Sequence, residues 1–153
     1  MVKSIYILEY YEEIQKEDLY YDTYNLLGVF NTEKEAKEKK DYIIKQYKLR
    51  EDTLYVSLID LGNSQWEVLY LNSNAIIYAL YHIYDTKIDN VVIRETKRIG
   101  LYATRKECRE KIIEFHKYIG FRDYPISCFK ILQYRLGEVY WKDEFICDQC
   151  LRE

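Results

Sequence analysis

The sequence predicts an α+β protein built from two tandem strand–strand–helix–strand repeats, with one helix covering each antiparallel sheet. The first observation is an internal repeat, because the residue types at Ile5, Tyr6, Leu8, Gly28 and Thr32 recur 72 positions later. The second is a threonine followed three residues later by glutamate at the same place in both copies, which is typical of a helix start. We expect residues 1–72 to form the first repeat, 73–145 the second and 146–153 a C-terminal tail.

Each repeat opens with two strands joined by a polar turn. Residues 5–11 and 77–84 carry apolar or aromatic side chains at successive positions, which is typical of a strand buried on both faces. The turn falls at residues 16–18 in the first copy and at residues 89–90 in the second. In both copies the second strand contains a glycine two residues before its end.

One helix follows in each repeat, over about residues 32–48 and 104–119. Both helices begin with a capping box, in which the threonine oxygen accepts a hydrogen bond from the third helical amide. Gly120 predicts the end of the second helix. The predicted buried stripes are Ala36, Lys40, Ile43 and Tyr47 in the first helix, and Cys108, Ile112, Phe115 and Ile119 in the second. Lys40 can join its stripe only by laying its aliphatic stem along the apolar surface.

A third strand closes each repeat and carries apolar residues at a spacing of two, three and two. These residues are Leu54, Val56, Ile59 and Leu61 in the first copy, and Phe129, Ile131, Tyr134 and Leu136 in the second. Because strict alternation has a period of two, this spacing predicts a bulge in the third strand of both copies.

Composition places the chain among small folded proteins of the cytoplasm. A hydrophobic content of 48% excludes disorder, and no apolar run is long enough to cross a membrane. The start of the chain lacks the apolar core of a signal peptide. The four cysteines show no disulfide framework, which favours a reducing environment, so we expect a cytoplasmic protein. The net charge of −3 disfavours nucleic acid as a partner.

The stretch from residue 9 to residue 24 is the most unusual part of the chain. It contains five tyrosines, six carboxylates and one lysine, a net charge of −5. The equivalent stretch of the second copy, residues 81–96, has three acids against two bases, a net charge of −1. The scaffold therefore does not require this acidity. Two interpretations stay open, a solvated hairpin with tyrosines half covering the sheet, and a surface that binds a basic protein partner.

On the second interpretation, tyrosines anchor the partner and carboxylates steer it. The predicted partner-binding residues are Tyr10, Tyr11, Glu12, Glu13, Glu17, Asp18, Tyr20, Tyr21 and Asp22. Because neighbouring strand residues point to opposite faces, one tyrosine of each adjacent pair should be buried and the other exposed.

Residues that could carry other chemistry are few and scattered. Cys147 and Cys150 form a C-x-x-C pair near the end of the chain without a second knuckle to complete a zinc site. A metal site, a redox pair and an incidental tail are the possible interpretations, and we expect no bound metal and no disulfide there.

His82 and His116 stand alone and are interpreted as structural. With no nucleophile elbow and no phosphate-binding loop, we expect no enzyme and no cofactor.

The second copy also resembles a small uncharacterised bacterial domain. The resemblance covers residues 77–142 and rests on the strand-end Gly100, the capped helix, the G-F-x-D-x-P loop at residues 120–125 and the closing Trp141. Such domains are similar to the small immunity proteins encoded beside bacterial toxins, and the resemblance carries no catalytic residues. It implies a non-enzymatic protein that neutralises a basic toxin domain by occlusion. The alternatives are a phage or mobile-element inhibitor of a host factor, and a small enzyme with a site assembled between the repeats.

Overall fold

The computed structural model describes residues 3–16, 19–61 and 75–140, and it confirms the α+β architecture of two similar halves. The first half comprises β1 (Lys3–Lys16), β2 (Leu19–Phe30), α1 (Glu33–Tyr47) and β3 (Leu54–Leu61). The second half comprises β4 (Ile76–Ile88), β5 (Val91–Tyr102), α2 (Arg105–Phe115) and β6 (Phe129–Arg135). The two antiparallel sheets have the strand orders β2-β1-β3 and β5-β4-β6.

The two hairpins share one register. Tyr6 pairs with Phe30 in the first half, and the equivalent Tyr78 pairs with Tyr102 in the second. Both hairpins carry a register shift at the same place, after Leu8 and after Leu80. The second hairpin turns at Asp89 and Asn90, whose φ values of 50° and 66° fit a two-residue turn of the type that suits twisted strands.

The bulge lies in the hairpins, so its prediction in the third strand was wrong for the first repeat. The register between β1 and β3 runs unbroken from Lys3 opposite Leu61 to Tyr10 opposite Leu54. Val56 and Ile59 therefore lie on opposite faces of β3, and both are half-buried. Because both faces of this strand are partly covered, apolar residues can point to either face, and their spacing does not require a bulge.

Both helices begin at their predicted caps. The Thr32 hydroxyl accepts a hydrogen bond from the Glu35 amide at 3.2 Å, and the Thr104 hydroxyl accepts one from the Glu107 amide at the same distance. Helix α1 ends at Tyr47, and its C-cap Lys48 has the left-handed φ of 54°. Lys40 of its predicted stripe is half-buried, whereas Tyr47 is 40% exposed.

Helix α2 ends at Phe115, four residues before the predicted end at residue 119. The chain then tightens into shorter-range bonds, such as the one from the Tyr118 amide to the Phe115 carbonyl at 3.0 Å. Phe121 folds back and meets the Phe115 ring edge-on, with centroids 5.8 Å apart. The packing of Phe121 on Phe115 therefore replaces a further turn of α2. Ile119 is 80% exposed, so its assignment to the buried stripe was wrong.

Each helix packs on the sheet of its own half. Ala36 and Ile43 of α1 lie in one buried cluster with Leu8, Leu27 and Phe30. The second cluster joins Cys108 of α2 to Leu80, Phe129 and Ile131, with Ile112 and Phe115 packed against it. The helix stripes thus meet the strands that the sequence pattern assigned to the core.

The described chain divides into two compact units. The first contains the described residues up to Ile76 together with residues 134–140, and the second contains residues 77–133. Within the first unit, residues 137–140 lie along the outer edge of β2. The Gly137 amide donates to the Val29 carbonyl and the Tyr140 amide to the Leu27 carbonyl, each at 2.8 Å.

Gly28 allows this added segment to approach closely. A Cβ at Gly28 would lie 2.7 Å from the Glu138 carbonyl oxygen and 2.9 Å from the Phe30 ring. At the equivalent Gly100 the three nearest atoms all belong to the Tyr102 side chain, whose hydroxyl would lie 2.7 Å from a Cβ. In both repeats the strand-end glycine therefore makes room for the aromatic ring two residues later. In the first repeat it also allows the segment 137–140 to approach β2.

Candidate functional site

The first hairpin continues past the sheet as a two-stranded ribbon. Strand β3 pairs with β1 only as far as Tyr10, so among the described residues, positions 11–16 of β1 pair with positions 19–24 of β2 alone. We call these residues the acidic ribbon. A two-stranded hairpin is only marginally stable by itself.

Tyr10 belongs to the core and not to the ribbon surface. It is 7% exposed and packs in the buried cluster with Leu8, Leu27 and Leu54. Its place among the partner-binding residues is therefore corrected, because a tyrosine buried under the helix cannot anchor a partner. Glu9, which counted toward the acidity of the stretch, is fully buried as well.

Tyr11 lies at the root of the ribbon beside a tyrosine that the sequence interpretation missed. Tyr11 is half-buried, and its ring meets the Tyr55 ring edge-on with centroids 6.3 Å apart. Tyr55 of β3 is 44% exposed. The flanking Leu54 and Val56 both pack in the core, so strand alternation could have assigned Tyr55 to the outer face from sequence alone.

The remaining predicted site residues divide between the two faces of the ribbon. Directly opposite residues share a face, and alternation places every second residue on the same side. One face therefore carries the register positions of Tyr11, Glu13, Tyr20, Asp22 and Tyr24, and the other those of Glu12 and Tyr21. Glu17 and Asp18 lie outside the described residues.

The two repeats differ in charge at one cross-strand position. In the ribbon, Glu13 stands directly opposite Asp22. In the second hairpin the equivalent pair is Asp85 opposite Arg94, and their side chains form an ion pair with Nε 3.0 Å from Oδ1. The hydrogen bond from the Arg94 guanidinium lowers the pKa of Asp85. Like charges directly opposite destabilise an antiparallel pair, and in the first repeat the register places two acids where the second hairpin has an ion pair.

The equivalent face of the second unit borders an open groove of about 590 Å³. Four of its lining residues, Ile83, Asp85, Arg94 and Lys130, occupy the positions that Tyr11, Glu13, Asp22 and Tyr55 hold in the first repeat. Tyr84 and the loop residues Tyr124, Pro125, Ser127 and Cys128 complete the lining. Tyr124 and Pro125 come from the G-F-x-D-x-P loop, which has no equivalent in the first repeat. This loop therefore does more than end a helix, because it forms one wall of the groove.

Two stacked tyrosines form part of this wall. The rings of Tyr84 and Tyr124 have centroids 4.3 Å apart and an interplanar angle of 27°. The hydrogen bond of Tyr84 to Tyr124, together with burial, raises the pKa of Tyr84 to about 12. The Tyr84 phenol therefore stays protonated and neutral at physiological pH.

His82 lies next to the stack in an aromatic enclosure. The centroid of its ring is 5.5 Å from that of Tyr84 and 5.4 Å from that of Tyr124, and Phe121 and Phe129 approach to 4.9 and 5.0 Å. The side chain is fully buried, and neither ring nitrogen has a hydrogen-bond partner among the described residues. Burial, with the nearby charges of Lys97 and His116, lowers the pKa of His82. By contrast, His116 Nε2 lies 3.0 Å from the Tyr124 carbonyl oxygen and helps to hold the loop.

Other candidate chemistry is sparse. Burial raises the pKa of the Cys108 thiol to about 12, which suppresses the reactive thiolate. No group of three or more potential metal ligands occurs among residues 3–16, 19–61 and 75–140, and Cys147 and Cys150 lie outside these ranges. Neither of the two described helices is long and apolar enough to cross a membrane.

No protein-family model matches this chain, and no curated protein or solved structure is significantly similar to it.

Proposed function

We propose that this chain is a non-enzymatic protein-binding module, and most concretely a bacterial immunity protein that neutralises a cognate toxin by covering its active face. The toxin domain is basic, and the acidic ribbon is the part of the chain that binds it. The resemblance of the second copy to toxin-associated domains motivates this choice of partner. The immunity protein works in the cytoplasm, with no cofactor.

The observation that carries the proposal is the pair of Glu13 opposite Asp22. The same scaffold position in the second repeat holds an ion pair, so the fold accepts a stabilising arrangement at this place. Retaining two acids there disfavours the free hairpin and favours a complex in which an incoming cation lies near both. Residues that lower stability without serving the core are typical of binding sites.

Aromatic surface adjoins these acids. Tyr55 is exposed beside Tyr11 at the root of the ribbon, and Tyr20 and Tyr24 occupy register positions on the same face as Glu13. Tyrosine is enriched at the energetic centre of interfaces because it buries a large area with few rotatable bonds. The proposed contact face therefore combines tyrosine anchors with carboxylates that attract a basic partner.

The proposal is tested by co-expression with the product of the adjacent upstream gene. We expect that product to arrest growth when it is expressed alone, and to be tolerated when the wild-type chain is present. The variant Glu13→Lys with Asp22→Lys should lose protection. The matched control reverses Glu38 and Asp41, two exposed acids of α1, and should still protect. Equal protection by both variants would contradict the proposed surface, and a harmless neighbour with no affinity for the chain would contradict the proposed function.

A further inference from the structure

The groove of the second unit has the features of a binding site, and the acidic ribbon does not account for it. Its volume of about 590 Å³ lies in the range of ligand-binding clefts. Its lining combines an aromatic and apolar wall with a few polar groups, which is the usual composition of such clefts.

The charge of the groove is opposite to that of the acidic ribbon. At the four equivalent positions, the first repeat has two carboxylates and no cation, whereas the second has one carboxylate and two cations, Arg94 and Lys130. The surrounding chain has the same sign, because residues 77–133 contain eleven basic and seven acidic side chains, a net charge of +4. Lys130 is exposed and forms no ion pair within the part of the chain that the structure describes. An anionic occupant is therefore favoured electrostatically.

The walls favour an extended peptide with an aromatic or apolar side chain. Tyr84 and Tyr124 stack beside Pro125, and flat aromatic surfaces of this kind accept peptide side chains in many recognition grooves. The Ser127 hydroxyl adds a hydrogen-bonding group to the lining. The groove is open to solvent over much of its surface, so an extended peptide can bind without threading into a closed cavity.

Behind the wall, the aromatic enclosure of His82 fixes the stack in place. Both stacked rings contact the imidazole ring, which is itself fully buried against Phe121 and Phe129. A preformed wall of this kind binds without the cost of ordering side chains.

We infer that this groove is a second docking site, which binds an extended acidic segment of a protein partner, with carboxylates at Lys130 and Arg94 and an apolar or aromatic side chain on the Tyr84–Tyr124 stack. The two repeats thus present the same scaffold face with opposite charge preference. This site is separate from the acidic ribbon, so it does not depend on the proposed toxin.

Amide NMR of the full chain tests the inference directly. The probe is the peptide acetyl-Glu-Glu-Tyr-Glu-Glu-amide, and the comparison probes replace its tyrosine with alanine or its glutamates with lysine. We expect the acidic tyrosine peptide to shift the amides of residues 83–85, 124 and 126–130. The alanine peptide should bind more weakly, and the lysine peptide should leave these amides unchanged.

Two variants and one further anion separate the possible outcomes. Lys130→Glu should weaken binding of the acidic peptide by about tenfold or more, whereas Lys106→Glu, the same charge change on an exposed position of α2, should leave it within about twofold. Lys130→Glu replaces an exposed side chain, so its amide spectrum outside the groove should match the wild type. The inference is overturned if the acidic peptide does not shift the groove amides, if both variants weaken it equally, or if a thymidine hexanucleotide binds the groove more tightly than the peptide.

Discussion

Replacing Asp22 by arginine should stabilise the protein and weaken its complex with the partner at the same time. The substitution gives the ribbon the acid–arginine pair that Asp85 and Arg94 form in the second hairpin. If the ribbon keeps its acids for binding, removing one of them should improve the free protein at the expense of the complex.

The size of the effect follows from the cross-strand geometry. Directly opposite charges contribute about 0.2–1 kcal/mol when unlike and a similar penalty when alike. Adding the middle of this range for the lost penalty and for the new pair, we expect a net gain of about 1 kcal/mol for Asp22→Arg. For a chain of this size that gain raises the melting temperature by about 2–4 °C. Asp22→Asn, which removes the like charge without adding a cation, should give about half of the gain.

Urea unfolding at low and at high ionic strength measures this effect. At about 20 mM salt the order of stability should be Asp22→Arg, then Asp22→Asn, then wild type, and the differences should shrink at about 0.5 M salt because exposed charges are then screened. The converse variant Arg94→Asp should be less stable than the wild type. If Asp22→Arg is no more stable than the wild type, or if its gain is independent of salt, the account of the like-charge pair is wrong.

Three further predictions concern the scaffold. Gly28→Ala should lower the free energy of unfolding by about 1–3 kcal/mol, and by more than Gly100→Ala does. The reason is that the new Cβ at residue 28 meets a backbone carbonyl, whereas the one at residue 100 meets a side chain that can shift. Urea unfolding of the two variants checks this. Because the pKa of His82 is lowered in the folded protein, the unfolded chain binds the proton more readily. The free energy of unfolding should therefore have its full value above pH 6.5 and fall as the pH drops through that value. Thermal unfolding between pH 5 and 8 should show this loss in the wild type but less of it in His82→Phe. Cys108 should resist alkylation in the native protein while the half-buried Cys128 reacts first, as mass spectrometry of iodoacetamide-treated protein would show.

Much of the fold could be predicted from local sequence patterns. The two threonine–glutamate capping boxes and the repeated glycine identify the helix starts and the ends of the preceding strands, because these positions depend on short-range hydrogen bonds and steric limits. The end of α2 could not be predicted in the same way. Ile119 keeps helical spacing, but the packing of Phe121 on Phe115 ends the helix sooner, and tertiary contacts of this kind are not visible in a periodic pattern.

The candidate sites could be predicted only in part. Acidity and tyrosine content identified the first hairpin, but the burial of Tyr10 and the opposition of Glu13 and Asp22 depend on register, which a bulge shifts by one residue. The groove was missed because Arg94 and Lys130 are far apart in the sequence. The repeat alignment could have brought these two cations together, because Arg94 aligns with Asp22 and Lys130 with Tyr55.

The association rate of the chain with its toxin partner, measured across ionic strength, tests the central claim most directly. For the wild type and for the α1 variant Glu38→Lys with Asp41→Lys, the rate should fall steeply as salt rises. For Glu13→Lys with Asp22→Lys it should be about tenfold or more slower at low salt and nearly independent of salt. If all three proteins associate at the same rate with the same salt dependence, the acidic ribbon is a solvated hairpin and not the surface that binds the partner.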